Sequence, residues 1–548
     1  MLLSSVNPVR PLAHFTPSLY GNIFTSSANH DQNFMQFKDK YSEEIQLLEQ
    51  EVSAMLVAVT KGELGEKLKL INTIERLGLS YHFSDQIEQQ LDILFRTEEE
   101  SDDLFTEALR FRILRQHGYG ISPDVFKKFK DDETGKFSES LTKDPLGMLS
   151  LYEATFLRGH GEEVLDEALA FTTCHLQAMV STSNSFVQKQ ISHSFSQSLH
   201  RGVPRLEARF YISVYEEDPI KNDKLLRFAK LDFHLLMIIH QQELCELTRL
   251  WDDLELASKL PYVRDRMVEN YFWAVSIFFE PCYSVGRITF TKMVTILVIT
   301  DDTYDAYATF DELGVYTDAV ERFDRSCMDQ LPDYMQICYK TMLDTFEEFE
   351  EDMSKKGMLY TVNYLKESFK VTVRSYYLEA KWLNQKHVAP FEEYLANAKL
   401  STGLYMISFA TFMGLKKEDA TVEACNWAKS YPKIVQALCS VGRLNNDMRD
   451  YEDEKKREHV ATSILCYTKE HGGTKDEACA ELYRRIENAW KDANEALLKP
   501  SPVSVEVLMR PLNMMRMIDV TYKYDDGYTN PHALKEAVEA MFIEAMPI

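Results

Sequence analysis

The sequence predicts an all-α protein built from two helical domains, and three observations predict it. Nearly every segment with a readable period carries its apolar residues at three and four, the spacing of one helix face. No stretch alternates apolar and polar residues between hairpin turns. The chain has only 20 Gly and 17 Pro in 548 residues, too few for a turn-dense β architecture. The same length exceeds what one hydrophobic core supports, so two or more domains are expected.

The elements justify this in order. Residues 43–59 (EEIQLLEQEVSAMLVAV) place apolar side chains on one face and charges on the other. Ser122-Pro123 and Asp144-Pro145 each set an N-cap residue before a Pro at the first helical position. Gly118, Gly159 and Gly414 follow amphipathic runs and read as helix stops. A polar stretch with a Pro at 216–223 (EEDPIKND) reads as a boundary, which gives an N-terminal domain over 1–220 and a C-terminal one over 221–548. No fixed-period repeat is present.

Composition narrows the function. A hydrophobic content of 45% is ample for packed cores, and the net charge of −25 excludes a nucleic-acid partner. Nine dispersed Cys without a Cys-x-x-Cys pair read as reduced thiols and not as a zinc site. The apolar runs 272–279 and 293–299 fall short of the roughly 18 residues a bilayer span needs. The opening MLLSSVNPVR lacks the apolar core of a secretory signal. These features predict a soluble, cytosolic protein.

The second half carries carboxylates where a buried helix face should continue. In MVTILVITDDTYD (293–305) an apolar run ends in Asp301, Asp302 and Asp305. Positions 301 and 305 lie about 40° apart around a helix and roughly 6 Å along it, so they share a face. Asp302 points about 100° away and reads as a supporting residue. Unpaired carboxylates beside an apolar face are costly, and a divalent cation removes that cost. Oxygen-only ligands suit Mg²⁺ or Mn²⁺ over zinc.

Taken alone, such a motif reads most simply as a solvated helix end. A second constellation changes the balance. In RLNNDMRDYEDE (443–454), Asn446, Asp450 and Glu454 stand at i, i+4 and i+8, an oxygen-bearing stripe down two turns. Arg443, one turn earlier, sits near that face and could meet an anion held by the metal. Two such stripes read as two walls of one pocket. Because Mg²⁺ usually shares substrate phosphates, the ligand implied is a polyphosphate ester.

In these residues the chain resembles the plant class I terpene synthases, the cytosolic sesquiterpene synthase group in particular. Asp301–Asp305 resembles their aspartate-rich motif and Asn446–Glu454 their second metal motif. The likeness extends through DDTYDAYATFDELGVYTDAVERFD (301–324), RPLAHFTPSLYG from Arg10, Arg264-Asp265-Arg266, EAKW (379–382) and DDGYT (525–529). The resemblance implies a C-terminal class I terpenoid synthase fold and an N-terminal helical barrel-like domain whose opening strand caps the site. It implies a monomer that binds three Mg²⁺ ions, with Mn²⁺ as a substitute, through Asp301, Asp305, Asn446, Asp450 and Glu454. It implies ionisation of a prenyl diphosphate, farnesyl diphosphate, with Arg264, Arg266 and Arg443 receiving the departing diphosphate. Trp273, Tyr522, Asp526 and the helix break at Thr402 and Gly403 would shape the carbocation pocket, where aromatic faces stabilise charge.

Three departures accompany the likeness. The usual opening Arg-Arg becomes Arg10-Pro11, its downstream Trp becomes Tyr20, and Asp450 stands where the family has Ser or Thr. The Asp-x-Asp-Asp motif of protonation-initiated cyclases is absent, so ionisation is the initiation expected. Alternatives are a chain-elongating prenyltransferase, which uses the same metal logic, and a non-catalytic helical scaffold descended from a synthase. Product skeleton turns on contour at the scale of a methyl group, worth only about 1–3 kcal/mol.

Overall fold

The computed structural model describes the chain except residues 1–9, 11–14, 22, 25–29, 60–62, 98, 182 and 458–460; at 30, 31 and 452–457 it describes backbone alone. Among the described residues no β-strand occurs, only an isolated bridge between Lys130 and Phe137. The all-α expectation therefore holds. The expected opening strand does not form over the described residues 15–21, which are irregular and turn backbone.

The chain divides into two compact units, and the division is not a single cut at 220. One unit comprises 28–240, 490–501 and 539–548; the other comprises 1–27, 241–489 and 502–538. The polar turn before Asp223 exists, but the Asp223–Asp253 helix runs on from it, and the division falls inside that helix. A continuous helix of even composition carries no linker signal, which is why the sequence places the boundary some 20 residues early.

In the first unit the helices His30–Val59, Leu64–Arg76, Ser84–Thr97, Leu104–Gln116 and Pro145–Thr155 contribute buried faces to one core. Leu68, Ile71, Phe111, Met148 and Leu151 are fully excluded from solvent there. Asp144 Oδ1 accepts the Gly147 amide at 3.0 Å with Pro145 at the first helical position, as its sequence predicts. Ser122-Pro123 opens a 3₁₀ segment and not an α-helix. Gly118 adopts φ +81° after the Leu104–Gln116 helix; near the next stop it is Gly161, not Gly159, that takes positive φ, and Gly414 closes a 3₁₀ turn. The segment 490–501 joins this unit through Asn494, whose Nδ2 donates to the carbonyls of Phe156 and Arg158, both at 2.9 Å.

In the second unit the helix Ser284–Ala306 packs on Met267–Ile277, Asp333–Lys355 and Leu359–Asn384. Lys433–Arg457 packs on Val505–Thr521 and Phe391–Ser401. A buried bidentate pair ties Ser284–Ala306, with Met267–Ile277, to the Asp223–Asp253 helix. Arg287 donates to both Glu243 oxygens at 2.7 and 2.6 Å, and Tyr271 Oη donates to Glu243 Oε2 at 2.7 Å. Such a pair specifies one arrangement of helices, because removing either partner strands the other charge out of water. The stretch Pro281–Ala306 is long and apolar enough, by length and composition, to cross a bilayer, although its short apolar runs suggest otherwise. It is mostly buried inside its unit and carries Asp301, Asp302 and Asp305 in its last turns, so it is a core helix.

Candidate active site

One cavity of about 450 Å³ lies wholly within the second unit. The Ser284–Ala306 helix brings Asp301, Asp302 and Asp305 to it, and Lys433–Arg457 brings Arg443, Asn446, Asp447 and Asp450. The two oxygen-bearing stripes predicted from spacing are therefore two walls of one pocket. Glu454 lies on the same helix, but its side chain is outside the described residues.

The acids are not left to repel one another. Arg264 Nη2 stands 2.6 Å from Asp301 Oδ2 and 2.7 Å from Asp302 Oδ1, and the Arg264 amide donates to Asp302 Oδ2 at 2.7 Å. Asp302 is fully buried and acts on Arg264, the supporting role its angular offset predicts. The Arg264 guanidinium also lies over the rings of Phe15 and Tyr528, 4.8 and 5.4 Å from their centroids. On the opposite wall Asn446 Nδ2 donates to Asp450 Oδ2. Arg443 donates to the Ala398 carbonyl at 3.0 Å and Ser401 Oγ at 2.9 Å, and lies 3.2 Å from Asp447 Oδ1.

Arg266, paired with Arg264 by sequence, does not line the cavity. It is buried, and its nitrogens donate to the carbonyls of Tyr528 at 2.9 Å, Thr529 at 3.0 Å and Asp265 at 2.8 Å. A spacing of two in irregular backbone does not fix direction, so neighbouring arginines serve different partners.

Val294, Leu297, Leu404, Ile407 and Ile518 give the cavity its aliphatic lining. Trp273 lines it with its ring centroid 5.1 Å from that of Tyr528. Tyr522 and Asp526 line it from the segment after Val505–Thr521. Burial, then the carboxylates of Asp526 and Asp450, holds the Tyr522 hydroxyl firmly protonated. Asp526 Oδ1 accepts the amides of Tyr528 and Thr529 at 2.9 and 3.1 Å, which folds the segment into a turn. Thr402 lines the cavity at the break between Phe391–Ser401 and Leu404–Ala410, where Gly403 takes φ +72°.

Sequence reasoning missed several lining residues. Tyr376 stands near the first stripe, its hydroxyl kept protonated by burial and by Asp301 and Asp305. Glu379, quoted above only as part of EAKW, accepts from Ser401 Oγ at 2.6 Å, and burial pushes its carboxyl up. Phe15, Tyr394, Asp447 and Tyr528 also line the cavity. Among the described residues, one group of His, Cys, Asp or Glu has ligand atoms within 4.8 Å of one another: His160, Asp492 and Glu495 in the other unit. It is a surface cluster in which His160 Nε2 meets Asp492 Oδ1 at 3.2 Å. In the cavity, Arg264 stands between Asp301 and Asp302. All donors of the cavity acids are oxygen, which fits a hard divalent cation.

The family models named "Terpene synthase, N-terminal domain" and "Terpene synthase family, metal binding domain" match residues 19–195 and 252–492. The chain belongs to the terpene synthase family. It is therefore a lyase acting on a prenyl diphosphate, with a domain that binds divalent metal. A hedycaryol synthase of Camellia brevistyla and a valerianol synthase of Camellia sinensis are each 48% identical to it over 552 residues, covering 100% of this chain and 99% of theirs. The crystal structure of isoprene synthase from grey poplar leaves, in complex with three Mg²⁺ ions and dimethylallyl-S-thiolodiphosphate, superposes with a TM-score of 0.84 at 31% identity. It covers 95% of this chain and 99% of that one. The Asp-rich and Asn/Asp stripes of this terpene synthase both fall inside the matched metal-binding region.

Proposed function

We propose that this terpene synthase is a sesquiterpene synthase that ionises farnesyl diphosphate and cyclises the resulting cation. The observation that carries the reading is the convergence of two oxygen-bearing helix faces and two arginines above an apolar, aromatic-walled cavity. The full-length relatives named for hedycaryol and valerianol support the substrate class. Asp301 and Asp305 on one wall, and Asn446 and Asp450 on the other, together with Glu454 further along the same helix, would hold three Mg²⁺ ions; the grey poplar complex supports the number. Bound there, the ions supply Lewis-acid withdrawal of charge from the diphosphate.

The chain's own residues do the rest. Arg264 and Arg443 face the cavity from opposite walls and are placed to keep the leaving diphosphate from recombining with the cation. Val294, Leu297 and Ile407 offer no nucleophile, so the cation meets hydrocarbon instead of a base. The Trp273, Tyr522 and Tyr528 rings stabilise it through their quadrupoles, each by roughly 0.5–2 kcal/mol. Because the Tyr522 hydroxyl stays protonated, that ring presents a neutral π face.

The test is incubation with farnesyl diphosphate and Mg²⁺, with products read by gas chromatography and mass spectrometry. A cyclic C15 hydrocarbon or alcohol, lost on chelation, is expected. Elongation on adding isopentenyl diphosphate would instead establish a prenyltransferase, and no Mg²⁺-dependent diphosphate release would establish a scaffold.

A further inference from the structure

The segment from Tyr522 to Asn530 supplies four cavity-lining side chains: Tyr522, Asp526, Tyr528 and Thr529. It is irregular backbone, and its polar groups need partners. Two arginines that do not themselves line the cavity meet that need at either end. Arg266 takes the carbonyls of Tyr528 and Thr529, as described. At the other end Arg449 Nε donates to the Tyr522 carbonyl at 2.7 Å, and its Nη2 donates to the Lys523 carbonyl at 2.6 Å.

The location of the second clamp is informative. The last carbonyls of a helix have no intrahelical partner, and Tyr522 is the C-terminal cap of Val505–Thr521. A cation there also complements the helix dipole. The planar fork of an arginine can serve two successive carbonyls, which a lysine ammonium cannot match in geometry. Arg449 stands on Lys433–Arg457 between Asn446 and Asp450, one residue before Asp450. It therefore ties the Tyr522 ring and the Asp526 turn to the helix that presents the second oxygen stripe. Tyr528 is fixed independently, its Oη donating to Asn270 Oδ1 at 2.6 Å.

We propose that Arg449 is a positioning residue for the cyclisation, holding Tyr522 and Asp526 in register with the Asn446 and Asp450 stripe. The inference rests on the terpene synthase reading of the cavity. Its test compares Arg449→Met and Arg449→Lys with the wild type in two measurements. In hydrogen exchange of the unliganded protein, amides in 522–530 of the Met variant should exchange roughly tenfold faster, with the Lys variant between. With farnesyl diphosphate and Mg²⁺, kcat of the Met variant should fall about 10–100-fold while KM stays within about threefold, since misplacement of about 1 Å costs that order of rate. The share of acyclic or early-quenched products should rise, and the Lys variant should recover part of the wild-type profile.

Unchanged exchange at 522–530 would overturn the clamp, whatever the enzyme makes. Unchanged product profile and kcat would overturn its role in the reaction. A KM rising as steeply as kcat falls would make Arg449 a diphosphate contact and overturn positioning. If the Met variant does not fold, the Lys variant decides by the same quantities. A wild type without sesquiterpene product refutes the functional reading separately, and the exchange comparison still decides the clamp.

Discussion

Replacing Gly403 by Ala should destabilise the second unit and alter the products. At φ +72° a side chain is strained, and an ideal Cβ would lie 2.4 Å from Leu297 Cδ2 and 3.0 Å from its Cδ1. Carbon atoms prefer about 3.5–4.0 Å, so Leu297 must retreat by about 1 Å. Overpacking of this kind costs about 1–3 kcal/mol, and the left-handed backbone adds about 1–2 kcal/mol for an L-residue. The total is about 2–5 kcal/mol. For a unit of roughly 300 residues the unfolding entropy is about 0.6 kcal/mol/K, so the melting transition should fall by about 3–8 °C. Leu297 lines the cavity, so its retreat changes the contour that the cation meets, and the product ratio should shift. A double-mutant cycle with Leu297→Ala separates the two contributions. In that background Gly403→Ala should cost only the backbone part, a coupling of about 1–3 kcal/mol. Equal costs in both backgrounds would refute the clash with Leu297. A melting shift below about 1 °C would refute the left-handed backbone itself.

Glu269 is fully buried, neither carboxyl oxygen has a hydrogen-bond partner among the described residues, and burial pushes its pKa up to about 7. The native state keeps that proton above the unfolded value, so stability falls as pH rises from about 4.5 to 7. Glu269→Gln should be near neutral at pH 5 and more stable than wild type at pH 8 by up to about 3 kcal/mol, read by urea unfolding; no gain at pH 8 would count against the buried charge. Arg10 donates to both Glu312 oxygens at 2.9 and 3.0 Å and lies over Tyr307 and Tyr334, so Arg10→Ala should expose residues 15–21 to limited proteolysis. An unchanged cleavage pattern would show that this anchor is dispensable. Asp450→Thr should raise the Mg²⁺ concentration for half-maximal activity about 3–10-fold, and superimposable Mg²⁺ titrations would sink the idea that the extra charge matters.

What was legible in the sequence was local. The stripes Asp301/Asp305 and Asn446/Asp450 were readable because a helix turns spacing into direction, and Asp302 fell off the stripe for the same reason. The helix break at Thr402-Gly403 was readable because Gly is costly inside a helix. Phe15, Glu379, Tyr528 and Arg449 were not readable as site residues. Phe15 meets Arg264 across some 250 positions, and Arg449 meets Tyr522 across 73. No periodicity encodes such pairings. Arg266 was misplaced because its partners are backbone carbonyls, which no sequence distinguishes. The domain boundary slipped for a related reason: a polar turn is visible locally, whereas membership of a core depends on what a continuous helix packs against.

The charge of the cavity sharpens what the whole-chain value of −25 leaves open. Its described lining includes seven acids (Asp301, Asp302, Asp305, Glu379, Asp447, Asp450 and Asp526) against two arginines. Burial pushes Glu379 towards its neutral form, yet the excess stays negative. A cavity of that sign repels a diphosphate, and two arginines already engaged with Asp301, Asp302 and Asp447 do not reverse it. Divalent cations do, because they invert the local electrostatics of the acids that hold them. Cation and diphosphate binding are therefore linked: each must raise the affinity for the other by the same factor. The acids of this site set that linkage more than they set either affinity alone. Asp450 adds one more negative charge on the stripe proposed to hold metal than a Ser or Thr would. It should strengthen cation binding and deepen the dependence of diphosphate binding on it, which is why the Asp450→Thr titration is expected to move towards higher Mg²⁺ and not lower.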